Sequence, residues 1–166
     1  ANADPQAFRI RNVDEDSFDV ISIEPPGANT SAVPDMEMHY VVFPVGEFEF
    51  PNGGPKLEVD VLSMRNYQSK LVSGSSYLNL TFGRTDFGSV PSVLVQVQSK
   101  VNGLLSTSNT PWLTGFAINA STSGAQISMD RAEVDGGTVF LNEQVAYLAI
   151  ENGIIPDFKD LQGNVI

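Results

Sequence analysis

Trp112 is the only tryptophan of the chain, and it follows a polar loop, Ser106-Thr107-Ser108-Asn109-Thr110-Pro111. An aromatic face in a loop stacks on the apolar side of a sugar ring while neighbouring carboxylates and amides fix its hydroxyls. A second polar group lies downstream, where Asp130, Arg131, Glu133 and Asp135 crowd together. Arg131 offers a planar donor fork suited to hydroxyls or to a carboxylated sugar. Each set also has a plainer use. Trp112 can plug the edge of a folded unit or a subunit contact, and the charged group can be a solvated turn whose surface ion pairs contribute little. The candidate ligand-binding residues are therefore Trp112, Asp130, Arg131, Glu133 and Asp135, with sugar as the ligand class.

Other chemistry has less to work with. Cysteine is absent and His39 is the only histidine. Thiol catalysis is thereby excluded, a serine triad would have to use His39, and no Gly-x-Ser-x-Gly elbow supports one. Asp14-Glu15-Asp16, with Asp19 nearby, offers oxygen ligands of the kind calcium takes but lacks the Asp-x-Asp-x-Asp-Gly spacing. It reads as a solvated hairpin tip. No motif marks the paired carboxylates of a glycosidase. The expectation is a non-enzyme with no catalytic residues, no metal and no cofactor. The sequons at Asn29, Asn79 and Asn119 matter only where a glycosylation pathway exists.

Composition narrows the partners. The 166 residues carry 9 Lys plus Arg against 20 Asp plus Glu, a formal charge of −11. Such a field repels phosphate backbones, so nucleic acid is not expected as a partner. No apolar run approaches the ~18 residues of a spanning helix, so no membrane insertion is expected. The small polar residues and low lysine content are those of an exported protein, giving an expected location that is secreted or on the cell surface.

The elements that must position these residues are strands. Period-two alternation marks Phe8–Arg11, Phe18–Ile23, Met36–Phe43, Leu57–Leu62, Tyr77–Phe82, Val93–Gln98, Gly115–Asn119, Gln126–Met129 and Val145–Ile150. Val, Ile, Phe and Tyr dominate these runs, as suits a pleated and half-buried surface. Turn residues separate them, among them Pro25-Pro26-Gly27, Pro51-Asn52-Gly53-Gly54-Pro55 and Asp135-Gly136-Gly137. Short strands at such spacing predict an all-β fold, an antiparallel β-sandwich.

The strands repeat. Asn12, Tyr40 and Gly46 recur as Asn119, Tyr147 and Gly153, each at an offset of 107 residues. Met38–Phe43 aligns with Val145–Ile150, and Phe18–Val20 with Ala125–Ile127. A fixed offset is the signature of tandem units. The chain holds about one and a half of them, so the first copy lacks its front half. The expected organisation is a partial first β module over 1–56 and a linker or bridging strand over 57–69. A complete sandwich follows over 70–153, and an extension or linker strand over 154–166.

The second copy runs from Val72-Ser73-Gly74 through Leu80-Thr81-Phe82 and Phe87-Gly88-Ser89-Val90-Pro91-Ser92-Val93 to Val145-Ala146-Tyr147-Leu148-Ala149-Ile150-Glu151. It resembles the H-type lectin domain of snail agglutinins and discoidins, with Tyr147 where that family has Trp. The tandem arrangement is also similar to repeats of large bacterial surface proteins, including accessory proteins of mannose-sensitive haemagglutinin pili. The resemblance implies a small sandwich that forms trimers and binds a galactose-type sugar at its rim. The family's Trp-His pair aligns here with Ala132 and Glu133, and its Arg with Trp112, so the known sugar set does not carry over. The expected function is a carbohydrate-binding adhesion module of a surface or pilus-associated protein. The partners would be a glycan and further copies of the chain, as trimer or filament. The alternative is a structural subunit of an extracellular filament or adhesin stalk, assembled through strand edges left open by the half copy.

Overall fold

The computed structural model describes residues 7–23, 37–68, 76–102, 112–131 and 139–153. The fold is all-β, and a single turn of 3-10 helix at Pro51–Gly53 is the one helical element among the described residues. The strands are β1 (Ala7–Arg11), β2 (Asp19–Ile23), β3 (Gly46–Glu49), β4 (Lys56–Met64) and β5 (Tyr67–Gln68), then β6 (Leu78–Thr81), β7 (Ser92–Val97), β8 (Leu113–Ser121), β9 (Gly124–Arg131) and β10 (Glu143–Ile150).

Two sheets face each other. The first has the order β3-β4-β10-β7 and is antiparallel throughout. In the second, β9 pairs β8 along one edge and β5 and β6 along the other. The short β5–β9 pairing is parallel, a departure from the purely antiparallel expectation.

Alternation decides the core. Val145, Tyr147 and Ala149 of β10 meet Ala125, Ile127 and Met129 of β9 between the sheets, joined by Met64, Phe82, Phe87, Val97, Leu113 and Val139. The intervening residues of β10 point to the far side of the first sheet. There Leu148 lies in register with Val59 and Leu94. Of residues 57–69, expected as a linker or bridging strand, the described residues 57–68 run through β4 and β5 and so contribute to both sheets. Residues 1–6, 24–36, 69–75, 103–111, 132–138 and 154–166 lie outside the described residues.

Most expected strands form, with one correction. Met36–Phe43 aligns with β10, yet its described residues 37–43 carry no strand. Strand β10 is held between β4 and β7. Among the described residues no strand pairs with residues 37–43. Tyr40 is accordingly 67% exposed, while Tyr147 is 2% exposed. Alternation also passed over β3 and β5, which are too short to display a period.

Candidate functional site

The first copy survives as a hairpin. In β1–β2, Arg11 pairs Asp19 and Ala7 pairs Ile23. In β8–β9, Ile118 pairs Gln126 and Thr114 pairs Asp130, the same register at the offset of the repeat. Asn12, just after β1, and Asn119, near the end of β8, have φ of 50° and 51°, a left-handed conformation that asparagine tolerates better than most residues. Each donates its side-chain amide to the residue seven places on: Asn12 to Asp19 Oδ2 at 2.8 Å, and Asn119 to Gln126 Oε1 at 2.7 Å. The two hairpins are one local structure made twice.

Their surroundings differ. Arg9 of β1, equivalent to Phe116 of β8, is 0% exposed. Its Nη2 lies 2.9 Å from Glu143 Oε1, and its Nε donates to the Ser99 carbonyl. Glu143 also accepts from the Ser99 hydroxyl, from Val101 N at 3.0 Å, and from Asn102 N and Nδ2 at 3.1 and 2.9 Å. Asn102 in turn accepts from Phe140 N and Leu141 N, which ties loop 98–102 to the start of β10. Burial raises the Glu143 carboxyl, but the Arg9 charge and the Ser99 and Asn102 hydrogen bonds outweigh it and hold it below its ordinary value. Burial lowers Arg9, with Glu143 opposing. The ladder carries the other face of the hairpin, Phe8, Ile10 and Val20, toward Leu94 and Leu148 of the first sheet, leaving an apolar cavity of about 480 Å³ between them.

At this same end lie the residues expected to bind ligand. Leu113 pairs Arg131, so Trp112 and Arg131 sit at neighbouring strand ends, beside Tyr67 of β5. The Arg131 guanidinium lies 5.3 Å from the centre of the Tyr67 ring, and the residue is 7% exposed. That position suits a cation capping the core through an aromatic face. Asp130 points away from Arg131, because successive residues of a strand face opposite sides. It is exposed on the outer face of the second sheet. Trp112 is half-buried, and its Nε1 has no hydrogen-bond partner among the described residues. Glu133 and Asp135 lie outside the described residues. Trp112 and Arg131 thus lie at adjacent strand ends, and Asp130 faces the opposite side of β9 from Arg131.

The acidic run behaves as a turn: Asp14 N donates to Ser17 O, and Asp14 Oδ1 accepts from Glu15 N, both at 2.8 Å. Among the described residues no three His, Cys, Asp or Glu side chains converge as a metal set. At the opposite end, the buried Glu58 accepts from the Tyr147 hydroxyl, Gly83 N and Arg84 N. Burial, then the bond to Glu58, raises the Tyr147 hydroxyl far above its ordinary value, so it remains a donor. Tyr40 and Tyr147 match across the repeat, but only Tyr147 is buried.

Comparison with known proteins finds no matching family model, curated protein or solved structure.

Sequence reasoning passed over Arg9 and Glu143. The signal was present in Phe8-Arg9-Ile10-Arg11, where an arginine occupies alternate positions of an otherwise apolar strand. It also passed over Tyr77, Asn79, Phe116 and Gln126, whose alternation with Leu78, Leu80, Gly115 and Ala125 assigns them to the outer face of the second sheet.

Proposed function

We propose that the chain is a non-catalytic adhesion module of a repeat-built extracellular protein. In this reading one sandwich presents a carbohydrate-recognising surface, and the hairpin of the neighbouring repeat is welded to it. The sandwich is of the H-type lectin-like kind to which its sequence is similar. The observation that carries the reading is the divergent use of one hairpin. Copy one spends its outward positions on Arg9, Arg11 and Asp19, with Arg9 buried against Glu143. Copy two carries Phe116, Ile118 and Gln126 there, none of which is charged. A duplicated element that couples in one copy and remains neutral and accessible in the other separates construction from recognition. The net charge of −11 suits a neutral ligand over an anionic one. The test is binding of the folded chain to a panel of immobilised neutral glycans. Binding at millimolar sugar is expected, and a folded chain that binds none overturns the reading.

Assembly through strand edges is the second reading, favoured by β2. It pairs only β1 among the described residues, whereas its equivalent β9 also pairs β6. An exposed edge invites a strand from another chain. Sedimentation of the dilute chain decides it: a concentration-dependent oligomer supports strand donation, and a monomer with cooperative unfolding overturns it.

A further inference from the structure

The outer face of the second sheet is built in rows. Strand register sets Phe116 opposite Ser128, with Tyr77 just before β6 on the other flank, and the next row is Ile118, Gln126 and Asn79. The Phe116 and Tyr77 rings meet edge to face, with centroids 6.4 Å apart. Ser128 between them is 0% exposed, and its hydroxyl donates to the Ser76 carbonyl at 2.8 Å. The aromatic pair is thus fixed over a satisfied polar floor. In the adjoining row the amides form a chain. Asn119 Nδ2 donates to Gln126 Oε1 at 2.7 Å, and Gln126 Nε2 donates to Asn79 Oδ1 at 3.0 Å. This leaves the Asn79 amide N–H groups and the Asn119 carbonyl oxygen directed to solvent. Thr81, Ser121 and Ser123 join Asn79, Asn119 and Gln126 in lining a shallow depression beside them.

We infer that this face, centred on Tyr77, Phe116, Asn79 and Gln126, is a binding platform for a neutral oligosaccharide. The inference rests on the carbohydrate reading above and gives it a place and a ligand class. A sugar ring has an apolar face and a hydroxyl rim. The half-buried aromatic pair covers the first, and a row of amides that both donate and accept matches the second. The geometry is rigid, because the amides already orient one another and lose little freedom on binding. Charge selects the ligand: Asp130 is the one ionisable residue on the described β8, β9 and β6 positions of this face other than Tyr77. Those described positions offer no cation to pair with a sialic or uronic acid. An open, flat platform also suits a stretch of several sugars better than a single ring.

The test is shift mapping on the full chain labelled with nitrogen-15, with neutral gluco-, galacto- and manno-oligosaccharides added to millimolar concentration. Expected are movements of the Asn79, Gln126 and Asn119 side-chain amides and of the β6 and β9 backbone. Tyr77→Ala and Gln126→Ala should each weaken binding roughly tenfold. Asn79→Ala, at an exposed position, should weaken binding without disturbing the fold and so keeps the test valid if Tyr77→Ala unfolds. Shifts confined to Trp112, Tyr67 and Arg131 would overturn this placement and leave the carbohydrate reading standing. Binding of acidic sugars alone would overturn the ligand class. No binding of any oligosaccharide to the folded chain would overturn both.

Discussion

Hairpins β1–β2 and β8–β9 share register, left-handed asparagine and side-chain bond, yet one is a clamp and the other is part of a sandwich. The difference teaches that a hairpin's backbone is set locally while its role is set by what its alternate residues meet. Position 116 is Phe where position 9 is Arg, and that exchange converts a surface ring into a buried ion pair. Position 124 is Gly where position 17 is Ser. A Cβ at Gly124 would collide with the Leu80 carbonyl oxygen, so glycine is what lets β6 lie beside β9. Position 115 is Gly where position 8 is Phe, and a Cβ there would strike Val95 of β7. Small residues bring hairpin two into the sandwich. The larger Phe8 of hairpin one lines the cavity instead.

The comparison can be broken most sharply at the clamp. Glu143→Ala removes the partner of a buried Arg9 and orphans the donors of Ser99, Val101 and Asn102. Breaking a buried pair on one side costs about 3–5 kcal/mol. Urea unfolding should show a loss of that size, with β1–β2 amides losing exchange protection first. Equal loss of protection throughout would mean that the clamp holds the sandwich and not the hairpin.

Gly124→Ala should cost about 1–3 kcal/mol by forcing β6 off β9. Ser17→Ala, its counterpart, should stay within roughly 0.5 kcal/mol as a surface change. Comparable effects at both would mean that β2 carries a third strand of its own.

Asn12→Ala and Asn119→Ala should each cost about 1–2 kcal/mol, because alanine in the left-handed region is strained. Glycine at either position should recover most of the loss. Unequal alanine costs would show that the shared turns are not energetically equivalent.

The smallest effect is with acid. The folded Glu143 carboxyl lies below its ordinary value, so its contribution is present above the unfolded carboxylate range. It is lost as pH falls through the folded value. Hairpin protection should therefore hold from neutral pH down to the ordinary carboxylate range and decline below it, while Glu143→Gln should remove that dependence. A loss of docking nearer neutral pH would point to a different group.

Legibility followed the range of the forces. The β class, most strands and the hairpin duplication were readable, because alternation and turn residues act over a few positions. Met36–Phe43 reads as a strand by the same rule, yet its described residues 37–43 form none and pair with no strand among the described residues. Asp130 and Arg131 are neighbours in sequence, but alternation turns them to opposite sides of the sheet, a consequence that proximity in sequence conceals. Glu143 carried no local sign of its role, since its partners Arg9 and Ser99 lie far away along the chain.

What the sequence by itself determined is therefore the unit: two hairpins of equal register, each closed by an asparagine able to adopt positive φ. Backbone sterics and period-two patterning suffice for that. Only the tertiary structure decided that Arg9 would meet Glu143, that Arg131 would lie over Tyr67, and that Phe116 and Tyr77 would close over Ser128. Those contacts join distant residues, and which of them form depends on which strands lie side by side once the core has packed.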